Sequence, residues 1–303
     1  MQSDTQGVVP VFKLYGETRL WPTPDLLHCE SIAERSRLHD WHIKAHRHAD
    51  LVHVLHIREG EAALELDGQE HRTRGPTLIV VPAMTIHGFR FDEAIEGHII
   101  TLAQPLADRL ADWLGDGSTV LASADFYPLT HAKTTARIAG LVEQIDDEYR
   151  RPEPGRELEL HALAQALAVQ LMRCGERQRL LSTGERSHRE PRQRDRARTQ
   201  MQRFQALVED RYREQPSVEA LAGELGITAA HLNTLCRRLT GRSPLQLLHE
   251  RVLLEAKREL TYTNLTISRI ADGLGFSEPA YFTRFFKRMT GLSPRAFRRG
   301  RHD

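Results

Sequence analysis

The strongest constraint on this chain is a pattern written twice between Ser217 and Phe297. Ala222, Gly226, Leu232, Gly241 and Pro244 in the first copy recur as Ala271, Gly275, Phe282, Gly291 and Pro294 in the second. The offset is 49 for Ala222 and Gly226 and 50 for the other three, so one extra residue falls in the turn of the second copy. Each copy opens with a short amphipathic stretch whose small residue, Ala222 or Ala271, allows a second helix to cross closely. A glycine, Gly226 or Gly275, then permits a turn. An apolar residue, Ile227 or Phe276, plugs the corner, and Thr228 or Ser277 is suited to cap the next helix. That helix carries apolar residues at helical spacing, Leu232, Leu235 and Leu239 or Phe282, Phe285 and Met289, and is polar and basic elsewhere. These are the parts of a helix-turn-helix, whose second helix enters the DNA major groove. Ordinary helical hairpins do not repeat Gly, Ser/Thr and Thr-Gly-x-Ser-Pro in register.

Between the copies, Pro244 to Tyr262 runs without a further proline or glycine. Proline suits a first helical turn, and the stretch predicts one helix of about 19 residues, roughly 28 Å long. A rigid spacer of that length can hold two recognition helices about one DNA turn, roughly 34 Å, apart.

The segment resembles the DNA-binding domain of the AraC/XylS family of bacterial transcription regulators. The resemblance covers about the last hundred residues. It is most specific in Gly275-Phe-Ser, Tyr281-Phe, Phe286-Lys-Arg, Thr290-Gly, Ser293-Pro and Phe297-Arg. The first copy departs at Cys236, where the family usually has an aromatic, which implies slightly looser packing. By position, the family's groove-facing residues fall on Ala230, Asn233 and Thr234 in the first copy. In the second they fall on Pro279, Ala280, Thr283 and Arg284. Arg237, Arg238, Lys287 and Arg288 follow these faces and are expected near phosphates. The resemblance implies double-stranded DNA and RNA polymerase as partners.

Charge agrees with that division. Residues 198–303 hold 18 Lys and Arg against 11 Asp and Glu, while the rest holds 24 against 30. A basic module on an acidic one fits DNA binding at one end. Cys29, Cys174 and Cys236 are odd in number and far apart, which excludes a disulfide framework or a zinc ribbon. The chain opens with no basic-then-apolar leader, and no apolar run reaches the length of a membrane span. A soluble cytoplasmic protein is expected, with no membrane partner. No nucleophile–base set or phosphate loop appears, so no enzymatic activity, catalytic residue or cofactor is expected.

Ahead of the repeat, Leu26 to about Leu102 reads as β. Leu51–Ile57, Ala62–Leu66, Thr77–Val81 and Glu96–Leu102 are short strands with turn signals between them, Asp67-Gly68 being the strongest. Val8–Tyr15 is a candidate edge strand. Pro105–Leu114, His131–Tyr149 and Glu157–Leu181 are helical patterns. The last two form a hairpin that either covers the sheets or, as the family resemblance implies, makes a homodimer interface. Ser182–Arg198 is charged and aperiodic and reads as a linker.

His46-Arg47-His48, His53, Gly60, Gly75…Pro82 and His87 resemble the two motifs of the cupin barrel. Converging imidazoles suit a transition metal, but the carboxylate position is not filled and Met84 replaces a glycine. A ligand pocket is therefore preferred, with no metal. Val9–Glu17, Trp21-Pro22, Leu27–Glu30 and His39–Trp41 resemble the family's 4-hydroxybenzoate-responsive activators, which implies a small aromatic acid effector. Such an acid needs a cation for its carboxylate and a polar partner for its hydroxyl. The candidates are His46, Arg47, His48, His53, Arg58, His87 and Arg90, and strand parity decides which point inward.

The expected architecture is α+β with two domains. Residues 1–181 form a cupin-like sensing barrel with a helical dimerisation hairpin. Residues 182–198 form a linker, and 199–303 an all-α double helix-turn-helix. The expected function is a ligand-responsive activator of aromatic-acid catabolism genes. The alternative is a metal-dependent cupin enzyme fused to a DNA-binding module, holding its ion on His46, His48 and His87.

Overall fold

The computed structural model describes residues 25–115, 119–151, 153–181 and 193–299. They fall into two compact units. The first contains β1 (Leu27–Ser31), α1 (Ile32–Arg37), β2 (His42–His46), β3 (Leu51–Glu59), β4 (Glu61–Leu66) and β5 (Gln69–Arg74). It continues through β6 (Thr77–Val81), β7 (His87–Phe91), β8 (Glu96–Ala103), α2 (Gln104–Leu114), α3 (Thr119–Ala122), β9 (Asp125–Pro128), α4 (Ala132–Arg150) and α5 (Arg156–Leu181). Its expected barrel takes the form of two antiparallel sheets, ordered β1-β8-β3-β6-β9 and β2-β7-β4-β5.

Alternation along each strand sorts side chains between two faces. Leu55, Ile57, Ile79, Val81 and Ile99 of the first sheet share one core with Ile43, Leu64, Phe89 and Phe91 of the second. Central strand β3 is buried from Leu51 to Ile57, so its sequence is continuously apolar apart from two histidines, as a strand covered on both faces requires. Edge strand β5 is the opposite case. Its sequence Gln-Glu-His-Arg-Thr-Arg is exposed except for half-buried Thr73, and it exists because every residue pairs with β4 across the Asp67-Gly68 turn. Both turn residues have positive φ, 49° and 83°, as the favoured two-residue hairpin demands. Helix α1 interrupts the stretch read as wholly β. Ser31 accepts a cap bond from the Glu34 N–H, and Ile32 is fully buried.

The expected hairpin is present as α4 and α5. Ile138, Val142 and Ile145 of α4 are buried, as are Leu160, Leu163, Leu167 and Leu171 of α5. The Val8–Tyr15 strand and residues 182–192 of the expected linker lie outside the described residues. From Gln193 onward the expected linker is already helix α6 (Gln193–Arg211). A domain boundary at residue 199 would therefore cut a helix.

After α6 come a 3-10 turn (Tyr212–Glu214), α7 (Val218–Glu224), α8 (Ala229–Thr240), α9 (Pro244–Tyr262), α10 (Ile267–Gly273), α11 (Pro279–Thr290) and α12 (Pro294–Arg299). Ala222 and Ala271 are 1% and 0% exposed at their helix crossings. The backbone closes both turns, Ile227 N–H donating to the Ala222 carbonyl and Phe276 N–H to that of Ala271, both at 3.0 Å, and the two expected plugs are half-buried. The spacer helix spans 19 residues and opens on a capping box of Ser243 and Gln246. Of the apolar residues expected on the second helices, Leu239 and Met289 are only half-buried, while Leu232, Leu235, Phe282 and Phe285 are buried. Among the described residues, no helix is long and apolar enough to cross a membrane.

Candidate nucleic-acid interface and sensor cavity

Helices α8 and α11 each bury one face and expose the other. Leu232, Leu235 and Cys236 of α8, and Phe282, Phe285 and Phe286 of α11, are buried. On the opposite faces Ala230, Thr234, Arg237 and Arg238, and Pro279, Ala280, Arg284, Lys287 and Arg288, are exposed. Asn233 and Thr283 are half-buried at the edges. The expected reading positions thus share the solvent-facing sides of the two helices. Asn233, Thr234 and Thr283 donate to the carbonyls four residues back, at 3.1, 3.0 and 2.9 Å. Those bonds hold the side chains against their own helices.

Thr228 caps α8 by accepting from the His231 N–H at 3.1 Å. Ser277 does not cap α11, contrary to expectation. The cap position is Glu278, without a side-chain bond, and Pro279 starts the helix. The extra residue of the second turn moves the helix start by one, and proline at the first position lacks the N–H that would need a partner. Tyr281 received no role from the sequence. It is 50% exposed and carries the Arg284 guanidinium over its ring at 4.6 Å. Cation–π stacking of that kind fixes an otherwise mobile arginine on the face that meets solvent. An exposed aromatic beside a basic residue in a recognition helix is the signal that would have found it.

In the first unit, four histidines meet. His53 and His87 face inward from β3 and β7. Alternation alone would set Ile43 and His46 of β2 on opposite faces, but a register shift between them lets both face the core. His48 follows two residues later on the same side. Ring centroids are 4.3 Å apart for His46 and His87, 4.6 Å for His48 and His53, and 5.2 Å for His48 and His87. All four are buried. His46 Nδ1–H donates to the Lys44 carbonyl and His87 Nδ1–H to the Thr85 carbonyl, both at 2.8 Å. A neutral imidazole that donates through Nδ1 keeps its lone pair on Nε2. His48 Nε2–H therefore donates to His46 Nε2, at 3.1 Å. Burial first, and then neighbouring histidines, hold His46, His53 and His87 down to about 3. All three are neutral at physiological pH.

The space between them is about 30 Å3, walled also by Glu30, Arg35, Ile43, Leu55, Phe89 and Ile99. Three of the expected ligand residues do not line it. Arg58 is exposed and paired with Glu96, and Arg90 is exposed beside inward-facing Phe89. Parity puts both on outward positions of their strands. Arg47 is half-buried between the two inward histidines and does not line the cavity. The cation at the cavity wall is Arg35, its Nε 3.8 Å from Glu30 Oε1. Arg35 was not anticipated because it lies on α1, a helix hidden in a β-rich stretch.

His56, three residues from His53, faces the other way. It is opposite His98 in β8, beside a surface cleft lined by Arg58, Glu96, His98 and Glu143. Burial, then His98 and Arg58, hold it down to about 4. Its unfolded value is about 6.5. Its stabilising contribution is thus complete above pH 6.5 and is lost as pH falls toward 4. Urea denaturation of His56→Leu at pH 7 and pH 4.5 is expected to show the wild type losing about 2–3 kcal/mol more than the variant. The other buried histidines titrate in both proteins and cancel in the difference. Parallel pH dependence would remove this assignment.

Two protein families match the chain. A helix-turn-helix domain covers residues 221–300, and an AraC-like ligand binding domain covers residues 28–168. The HTH-type transcriptional activator RhaS of Escherichia fergusonii is 21% identical over 271 residues, 89% of this chain and 93% of that protein. Among solved structures, ToxT of Vibrio cholerae O395 aligns over 90% of this chain and 97% of its own, at 11% identity and a TM-score of 0.40. The DNA-binding domain of AdpA, a global transcriptional factor solved with a target DNA, aligns over 32% of this chain and 87% of its own. Its identity is 31% and its TM-score 0.31.

Proposed function

We propose that this chain, which belongs to the AraC family of DNA-binding transcription regulators, is a cytoplasmic activator that reads DNA through α8 and α11 and responds to a small molecule bound in its first domain. The observation that carries the reading is the pair of recognition helices, each with an apolar face buried and a polar, basic face exposed. The activator role follows the activators, such as RhaS, that it resembles. RNA polymerase is the corresponding protein partner. A homodimer through α4 and α5 would cover Leu158 and Leu180, which are 76% and 75% exposed.

Base reading is assigned to Ala230, Asn233, Thr234, Pro279, Ala280, Thr283 and Arg284, and phosphate contact to Arg237, Arg238, Lys287 and Arg288. Arg284 can pair bidentately with guanine, which discriminates by about 1–3 kcal/mol. Arg284→Ala is expected to relax preference at one base step in a binding-site selection. Lys287→Ala is expected to weaken binding to all sequences and lower the salt slope by about one unit. An unchanged base preference in the first variant and an unchanged slope in the second would sink the assignment.

The effector reading is an aromatic carboxylic acid such as 4-hydroxybenzoate, and it rests on the N-terminal motif. A space of about 30 Å3 has room for roughly one water molecule, so an aromatic ring requires the pocket to widen on binding. Candidate acids are to be titrated into the DNA complexes of the full chain and of a fragment that begins ahead of Gln193, with a thermal-shift screen alongside. A ligand that binds only the folded state raises its stability. The full chain is expected to respond and the fragment not. A response by the fragment would place the ligand in the wrong domain.

A further inference from the structure

We infer that His46, His48 and His87 form a binding site for one divalent transition-metal ion inside the sensor domain. The sequence alone favoured a metal-free pocket here; the side-chain geometry reverses that preference. The ligand nitrogens of the three residues lie within 4.8 Å of one another, and all three residues are buried. Zinc–imidazole bonds are about 2.0–2.1 Å long, so two nitrogens on one ion stand roughly 3–3.5 Å apart. His46 Nε2 and His48 Nε2 are already at 3.1 Å. The His87 nitrogen lies within 4.8 Å of the other two, so binding draws it in by roughly 1 Å.

The surroundings are those of metal ligands. A ligating histidine almost always donates its second ring N–H to a carbonyl or carboxylate, which fixes tautomer and orientation. His46 and His87 do so through Nδ1, to the Lys44 and Thr85 carbonyls. His87 Nε2 is buried and has no hydrogen-bond partner among the described residues, and neither has His53 Nε2 beside it. A buried polar nitrogen without a partner is costly, and coordination to a cation satisfies it. The space of about 30 Å3 suits an ion with one small ligand. Three neutral imidazoles select zinc, cobalt, nickel or copper over magnesium or calcium, which prefer oxygen donors. They bring no negative charge, and the Glu30 carboxylate at the wall is shared with Arg35, so the ion's open position suits an anionic oxygen. The site holds whether or not the effector is an aromatic acid.

The test uses the full-length, tag-free protein, stripped with a chelator and dialysed. Zn2+ titration by calorimetry is expected to give one ion per chain, with a raised melting temperature, and Mg2+ no response. Co2+ is expected to give the visible absorption of a low-symmetry, nitrogen-ligated ion. X-ray absorption on the zinc-loaded wild type is expected to show three imidazoles on the metal, a readout that needs no variant. His46→Gln and His87→Gln are each expected to weaken binding at least 100-fold, while His56→Gln, on the outward face, leaves it unchanged. Failure of the wild type to bind a stoichiometric ion would overturn the inference. So would fewer than two imidazoles on the bound metal, or full binding by a His46→Gln/His87→Gln double variant, which would place the ion on surface histidines.

Discussion

Gly275→Ala is expected to abolish DNA binding, while Gly226→Ala at the matching turn of the first copy leaves most of it. Both glycines have positive φ, 78° and 67°, so a Cβ at either brings the left-handed strain of roughly 1–2 kcal/mol. Space separates them. Nothing lies within 4 Å of a Cβ built on Gly226, whereas one on Gly275 would sit 1.9 Å from the Arg213 carbonyl oxygen. That neighbour is backbone and has no rotamer to yield. Arg213 belongs to the 3-10 turn that docks on the end of α10. Its guanidinium donates to the Gly273 carbonyl at 3.1 Å, and the Gln215 amide donates to that of Leu274 at 2.7 Å. The turn must separate from α10 to admit the methyl, which breaks both bonds. The expected total is several kcal/mol, against a typical domain stability of about 5–15 kcal/mol. Urea denaturation and gel-shift titration of the two variants check this. Losses within about 1 kcal/mol of each other would mean that the close approach is not rigid.

This contrast marks where the sequence stops being legible. The repeat makes Gly226 and Gly275 equivalent, and for turn formation they are. Their inequivalence comes from a segment ahead of the repeat, the Tyr212–Glu214 turn, whose Arg213 carbonyl comes up against Gly275 but not Gly226, and which leaves no periodic trace. The same holds in the sensor domain. The apolar runs of β3 and β6 and the Asp67-Gly68 turn are local signals and are read directly. Which side chains share the cavity is not local. The register shift after Ile43 sends His46 inward, and α1 brings Arg35 to the wall. Meanwhile simple alternation puts Arg58 and Arg90 outside. Strand β5, polar at every position, exists only through its pairing with β4. The exposed faces of α8 and α11 are legible because 3.6-residue periodicity separates faces within one helix, and no partner is needed to decide it.

The second large effect is expected at Arg251, in the spacer helix α9. In the structure it is nearly buried, with a side chain only 10% exposed. Its guanidinium donates through Nε and Nη2 to the two Glu209 carboxylate oxygens at 2.5 and 2.9 Å, and through Nη1 to Glu255 at 3.0 Å. Its face lies 3.9 Å from the centre of the Tyr212 ring. One side chain thus ties α6 and the 3-10 turn to α9. The fork is bidentate and planar, so lysine cannot reproduce it. Removing one partner of a buried pair leaves the other charge uncompensated, at about 3–5 kcal/mol. Arg251→Ala is expected to destabilise the DNA-binding unit by that amount and to weaken DNA binding, because α9 joins the two helix pairs. Glu209→Gln is expected to cost less, since Glu209 is 30% exposed. Once Arg251 is gone, Glu209→Gln should recover part of the loss, because it removes the stranded carboxylate. A double-mutant cycle read by urea denaturation measures that coupling. Additive losses, or an Arg251→Ala variant within 1 kcal/mol of wild type, would show that packing of α6 on α9 holds the unit without the ion pair.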